Sequence, residues 1–133
     1  MIVSLHVATG GAIGALAGKP GRAALLGAVA HAAGDRMRHQ DIRSRRYEIV
    51  TGGAALLAVA ARRGLFDAAT IGAAAASAPD LEHVLPLPRP GGRKLFPSHR
   101  IHGFHRSGGV SAQAQLFVAG VLLGLLLAPR GRG

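Results

Sequence analysis

Five runs of small apolar residues, separated by breaks rich in arginine, glycine or proline, constrain what this chain can fold into. Each run has about 14–18 residues, long enough for a helix and at or below the lower limit for crossing roughly 30 Å of hydrocarbon. They predict an all-α protein of about five short Ala/Gly-rich helices in one compact domain, residues 1–133. The runs extend from Ile2 to Gly18, Pro20 to about Met37, Tyr47 to Ala61, Leu65 to Ala78 and Ser111 to Ala128.

The kind of apolar residue favours a membrane setting for these helices. Hydrophobic residues make up 49% of the chain, but aromatic residues only 4%, so a water-soluble core would bury little apolar area. Gly10, Gly14 and Gly18 recur every four residues, a spacing that lets helices in membranes approach closely. We therefore expect transmembrane helices in a multi-pass integral membrane domain, with a soluble Ala-rich helical bundle as the alternative. The chain has no Cys, which excludes disulfides and thiolate zinc sites.

The net charge of +10 is distributed around the apolar runs. Basic residues cluster at the ends of the runs, and a single basic stripe is not seen, a pattern more typical of membrane flanks than of a nucleic-acid surface. Most of the Lys and Arg residues fall on the side that carries the two longer loops, which predicts that this side is cytoplasmic. The lipid bilayer is the expected partner, and nucleic acid is unlikely. A basic nucleic-acid-associated helical protein remains a rival interpretation.

Polar residues concentrate in the stretch from Pro79 to His105. Four of the seven histidines and two of the six acids lie in it, around a loop rich in proline, glycine and arginine. The predicted topology also brings the other histidines on or near the same face of the bundle. A concentration of imidazoles in a chain otherwise made of Ala, Gly, Leu and Val indicates metal binding.

His31 and Asp35 are the first candidate pair of metal ligands. They are four residues apart in the second predicted helix, which places them on one face about one turn apart. His39 would continue that face one turn later. The alternative is that Asp35 caps the helix or pairs with Arg36 or Arg38.

Asp80 and His83 form a second candidate pair, because a carboxylate and an imidazole three residues apart can ligate one ion or orient each other. The alternative is a polar helix end. His99, His102 and His105 then recur every three residues. We expect His99 to complete the ligand set and His102 and His105 to act as general acid or base, since imidazole titrates near pH 7. Which of the three ligates the ion is open.

These motifs resemble a known group. Pro79-Asp80-Leu81-Glu82-His83, followed by a His/Arg-rich loop, is similar to the Pro-Asp-x-Asp-His … His-Arg-x-x-x-His pattern of small bacterial inner-membrane proteins. Those proteins are described as membrane-bound metal-dependent hydrolases and are similar in motif to zinc-dependent phospholipase C-like proteins. The segment from His31 to Asp41 also resembles that group's His-x-x-x-Asp-x-x-x-His helix. Glu82 stands where the group often has Asp, and the loop histidines are three apart instead of five.

The resemblance implies a multi-pass protein of the bacterial inner membrane that hydrolyses an ester or phosphoester, such as a lipid, with a divalent metal. Zinc suits imidazole and carboxylate ligands best. The adjacent Arg100 and Arg106 are suited either to a phosphate or to anionic lipid. The rival within the same class is a membrane protein whose metal site is structural and not catalytic.

Overall fold

The structure, a computed structural model, describes residues 1–85, 87–101 and 108–129. Within these residues it is all-α, as predicted, with five α-helices. Three 3₁₀ turns lie between the fourth and fifth helices, at Ala78–His83, Pro90–Gly92 and Pro97–His99. The helices are α1 (Val3–Ala17), α2 (Pro20–Arg36), α3 (Arg45–Arg63), α4 (Ala68–Ser77) and α5 (Ala112–Leu127).

Local sequence signals set most of the helix ends. Pro20 occupies the first turn of α2, where its missing N–H costs nothing. The Ser44 hydroxyl accepts a hydrogen bond from Tyr47 N, and the Asp67 carboxylate accepts one from Ala69 N, so both residues cap the helices that follow them. Pro79 lies at the point where α4 gives way to a 3₁₀ turn. That change of winding redirects the chain after α4.

Helix α1 lies at the centre of the bundle and packs against each of the other four helices. The backbones of α1 and α4 lie very close together, because a Cβ atom on Gly10 or Gly14 would collide with a backbone oxygen of α4. A Cβ atom on Gly72, in α4, would likewise collide with the backbone oxygen of Gly10. Small residues on both helices therefore bring the two backbones together and fix where the ends of α1 and α4 lie.

The expected membrane topology is wrong. None of the helices in the described residues is both long enough and apolar enough to cross a membrane, which requires about 20 mainly apolar residues. Helices α1, α2, α4 and α5 have 15, 17, 10 and 16 residues. Helix α3 has 19, but Arg45, Arg46, Glu48, Arg62 and Arg63 occupy its ends. This finding overturns both the five transmembrane helices and the multi-pass location in a bacterial inner membrane.

The loops at one end of the bundle are tied to each other by backbone hydrogen bonds. Gln40 N donates to Val110 O at 2.9 Å, and Val110 N donates to Arg38 O at 3.0 Å. The Gln115 side chain, on α5, donates to Gln40 O at 2.8 Å. These contacts hold the segment after α2 against the start of α5.

Candidate metal centre

Four separate parts of the chain bring histidine and aspartate side chains to one end of the bundle. Helix α1 contributes one histidine and α2 a histidine and an aspartate. The turn after α4 contributes an aspartate and a histidine, and the last 3₁₀ turn a histidine. We call this set the His/Asp cluster: it comprises His6, His31, Asp35, Asp80, His83 and His99.

Asp35 is the residue on which three imidazoles converge. Its Oδ1 lies 3.2 Å from His6 Nε2, and its Oδ2 lies 3.0 Å from His31 Nε2 and 3.5 Å from His99 Nε2. The side chain is only 1% exposed. Burial disfavours its charge, but the contacts with His31, His6 and His99 outweigh burial and hold the pKa of this carboxyl well below its usual value. Asp35 is therefore a buried anion, and the N-terminal ammonium of Met1 already lies 3.1 Å from its Oδ1, which leaves Oδ2 facing His31 and His99.

The hydrogen bonds made by Nδ1 of His31 and of His99 determine whether Nε2 of each ring faces Asp35 with a proton or with a lone pair. His31 Nδ1 donates to the carbonyl oxygen of Ala76 at 2.8 Å, and His99 Nδ1 is paired with a Glu82 carboxylate oxygen. A carbonyl and a carboxylate only accept, so each Nδ1 carries the proton and a neutral ring has a lone pair at Nε2. Each lone pair then faces a carboxylate oxygen of Asp35. Such contacts are stable only with an extra proton on the ring or with a cation between the atoms.

Asp80 is held near the same nitrogens without a close contact to them. Its Oδ1 lies 3.8 Å from His99 Nε2 and its Oδ2 lies 4.0 Å from His6 Nε2, both beyond hydrogen-bonding distance. Its Oδ2 is buried and makes no hydrogen bond within the described residues. Burial raises the pKa of Asp80 to about 6, because the charged form loses water. A cation bound at this place would give the buried Oδ2 of Asp80 a partner.

His6 is buried in its neutral form. Its ring stacks on that of His31 with 4.2 Å between centroids, and burial lowers the pKa of His6 to about 4. His99 differs, because its pKa lies above the usual value. Burial alone would lower this pKa, but the carboxylates of Asp35 and Glu82 favour the protonated ring more strongly. Neutral imidazole is the form of histidine that binds metals, so His6 is ready to act as a ligand.

These side chains meet the distance requirement for metal binding. The cluster contains three groups of three residues, and within each group the ligand atoms lie within 4.8 Å of one another. The prediction that His and Asp side chains come close enough to hold a metal ion is confirmed, and the orphaned Oδ2 of Asp80 fits such an ion. The groups are His6 with His31 and Asp80, His31 with Asp35 and His99, and Asp80 with His83 and His99.

The structure brings together all five of the ligands predicted from the sequence, namely His31, Asp35, Asp80, His83 and His99. His102 and His105, the predicted proton-transfer residues, lie outside the described residues. Arg106 lies there too, while Arg100 lines a separate surface pocket with His99.

The prediction that His39 continues the face of His31 and Asp35 is wrong. Helix α2 ends at Arg36, so the helical spacing no longer applies three residues later. His39 Nδ1 donates to Met37 O at 2.6 Å, and its Nε2 lies 3.1 Å from Asp41 Oδ1. His39 belongs to none of the three groups of ligand atoms.

Sequence reasoning missed Glu82, which orients His99. Its side chain is buried, and the backbone N–H of Leu95 donates to its Oε2 at 2.7 Å while His99 pairs with its Oε1. Burial opposes its charge, but these hydrogen bonds hold the pKa of Glu82 below its usual value. The only sequence signal was its place in the Pro79–His83 motif. A carboxylate behind a ligating imidazole fixes the ring and raises its basicity.

We expect Glu82→Gln to weaken zinc binding by about 10- to 100-fold, the usual effect of losing such a partner. An amide offers one acceptor where the carboxylate offers two, so either His99 or Leu95 loses its bond. Competition with a chromophoric chelator measures the affinity. Glu48→Gln is the matched control, because Glu48 also accepts a backbone N–H, from Ile42, but belongs to none of the three groups. Equal zinc affinity in both variants would contradict the role of Glu82.

No family model, curated protein or solved structure matches the chain. The resemblance to membrane-bound metal-dependent hydrolases therefore stays an expectation from short motifs, and function has to be argued from the cluster and its surroundings.

Proposed function

We propose that this chain is a metal-dependent hydrolase that cleaves a phosphoester bearing an apolar chain. The observation that carries the proposal is an open cleft of about 510 Å³ that reaches the cluster at Asp80 and His83. Structural metal sites are closed by their protein ligands, whereas catalytic sites keep a position open to water or substrate. The opening favours catalysis over the rival, a purely structural ion.

Two exposed arginines at the cleft support an anionic substrate. The cleft is lined by three basic residues, Arg43, Arg45 and Lys94, and by three acidic ones, Asp41, Glu48 and Asp80. Arg43 and Arg45 are exposed, so their guanidinium groups are available to bind phosphate oxygens, for which arginine is well suited. A phosphoester held by these residues would lie beside the cluster.

A second cavity supports an apolar group on the same substrate. It has a volume of about 320 Å³, lies between α1, α3 and α4, and is lined almost entirely by apolar side chains. It shares four lining residues with the cleft, namely Val3, Ile49, Asp80 and Val84. A molecule could therefore place its phosphoester in the cleft and a hydrocarbon chain in this apolar groove, and both volumes are in the usual range for small-molecule sites.

A divalent ion, with zinc the best match to imidazole and carboxylate, would supply an activated water and polarise the phosphoryl group. His31, Asp35, Asp80, His83 and His99 would hold it, with Ala76 and Glu82 orienting two of the rings. Arg43 and Arg45 would bind the phosphate oxygens. Proton transfer by His102 or His105 remains a prediction from the sequence.

Hydrolysis by the zinc-loaded protein tests the proposal with two para-nitrophenyl phosphodiesters, one carrying a methyl and one a decyl group. We expect nitrophenol release that EDTA abolishes and that is faster with the decyl ester in kcat/KM. Each methylene buried in the groove is worth about 0.8 kcal/mol, or about fourfold. Bound zinc with no hydrolysis of either ester would favour the structural rival.

The apolar groove is tested separately by filling it. Gly53 lines the groove, and a Cβ atom built on it meets no atom within 4 Å, so Gly53→Leu adds bulk without a collision at its Cβ. We expect it to lower kcat/KM for the decyl ester by about 10- to 100-fold, since several methylenes lose their contacts, and to spare the methyl ester. Gly120→Leu is the matched control, because Gly120 is an equally open position in the middle of α5. An equal loss on both esters would contradict binding in the groove.

A further inference from the structure

The His/Asp cluster contains more ligands than one ion uses. Its six side chains offer four imidazoles and two carboxylates. A zinc ion in a protein takes about four ligands. A single ion would therefore bind only about four of the six side chains.

The geometry divides the cluster into two halves. One group of ligand atoms comprises His6, His31 and Asp80, and another comprises Asp80, His83 and His99. These two groups have no imidazole in common and share only Asp80. None of the three groups contains both His6 and His83. The third group, His31 with Asp35 and His99, joins these two, so the ligand atoms surround two adjacent positions with Asp80 and Asp35 between them.

The two oxygens of Asp80 point to opposite halves. Oδ1 lies 3.8 Å from His99 Nε2, and Oδ2 lies 4.0 Å from His6 Nε2. Tetrahedral ligands about 2.0–2.2 Å from one ion are about 3.3–3.6 Å apart, so each pair would close by a few tenths of an ångström around an ion. Each oxygen thus shares a position with a different histidine. Asp35 is arranged differently, because its Oδ1 lies towards His6 while its Oδ2 alone faces one imidazole of each half, His31 and His99.

We propose that the cluster holds two divalent cations bridged by the carboxylate of Asp80, one bound by His6 and His31 and the other by His83 and His99. The inference rests on the proposed function and extends it to the class of two-metal hydrolases, in which ions about 3.5–4 Å apart act on one phosphoester. The two positions differ in access. His6 and His31 are fully buried, whereas Asp80 and His83 line the cleft. The ion at His83 is the one that meets substrate and exchanges with solvent.

Metal content and magnetic coupling test the inference independently of activity. Wild-type protein is loaded with Mn²⁺, desalted and measured by elemental analysis and electron paramagnetic resonance. We expect two ions per chain and a spin-coupled spectrum. His83→Ala, a change at a partly buried residue, is expected to keep one ion with an uncoupled spectrum. Asp80→Asn is expected to lose the coupling, because the bridge is gone.

The outcomes separate this inference from the proposed function. One ion per wild-type chain with hydrolysis retained would overturn the pair of ions and leave the hydrolase proposal intact. Loss of all metal in His83→Ala would also overturn the pair, because it would mean that both halves serve one ion. No bound metal in the wild-type protein would overturn both proposals.

Discussion

The Asp35→Asn variant is expected to lose nearly all bound zinc and, with it, metal-dependent hydrolysis of phosphoesters. Asparagine has the shape of aspartate but no charge, and Asp35 is the buried anion that faces His6, His31 and His99 at 3.0–3.5 Å. The loss of zinc affinity should exceed the loss of about 10- to 100-fold that is expected when only a residue behind a ligand, such as Glu82, is changed. Elemental analysis after desalting measures the metal directly.

A thermal unfolding assay gives a second readout of the Asp35 variant. A ligand present at about a hundred times its Kd stabilises the folded state by about 2.7 kcal/mol, so zinc should raise the Tm of wild-type protein and leave that of Asp35→Asn unchanged. Asp67→Asn is the control with the same chemical change. Asp67 caps α4 and lies outside the cluster, and asparagine is an equally good cap. A zinc-dependent Tm in Asp35→Asn like that of the control would rule out Asp35 as a ligand.

Replacing Gly10 by alanine is expected to destabilise the fold by about 1–3 kcal/mol or more, the range for overpacking a core. A Cβ atom there would lie 2.5 Å from the Gly72 carbonyl oxygen and would also collide with Ala76 Cβ. Backbone atoms cannot turn away as a flexible side chain can, so α1 and α4 must separate. The free energy of unfolding in urea measures the effect.

A glycine-to-alanine substitution at an open position should instead increase the stability of the fold. Gly120 lies in the middle of α5, and a Cβ atom on it meets nothing within 4 Å. Gly120→Ala should therefore stabilise the protein by about 0.5–1 kcal/mol through helix propensity alone. Gly10→Ala should also weaken zinc binding, because α1 carries His6 and α4 leads into Asp80. Equal stabilities of the two variants would contradict the close approach of α1 and α4.

The sequence alone predicted the features that depend on short spacing. His31 and Asp35 meet because four residues make about one helical turn, and α2 continues from Pro20 through both. Pro79 ends α4 because a proline ring disrupts helical hydrogen bonding. The all-α class and the presence of a metal-capable cluster followed from such local patterns.

Features that depend on where a helix ends were predicted less well. Counting apolar residues led to five membrane-spanning segments, whereas four of the helices have only 10 to 17 residues and α3 begins and ends with charged residues. A helix end was also misjudged, since His39 was placed on the face of α2 although that helix ends at Arg36. Helix ends depend on capping and loop contacts, which hydropathy does not measure.

The pairing of distant segments was decided only by the tertiary structure. His6 meets Asp35 because Gly34 leaves room on α2 for the His6 ring, and Glu82 reaches His99 because the loop folds back through Leu95 N. The sequence determined which residues have metal-binding chemistry and which neighbours share a helix face. The tertiary structure decided how four histidines surround Asp80 and Asp35, because contacts between segments depend on backbone packing that no spacing in the chain specifies.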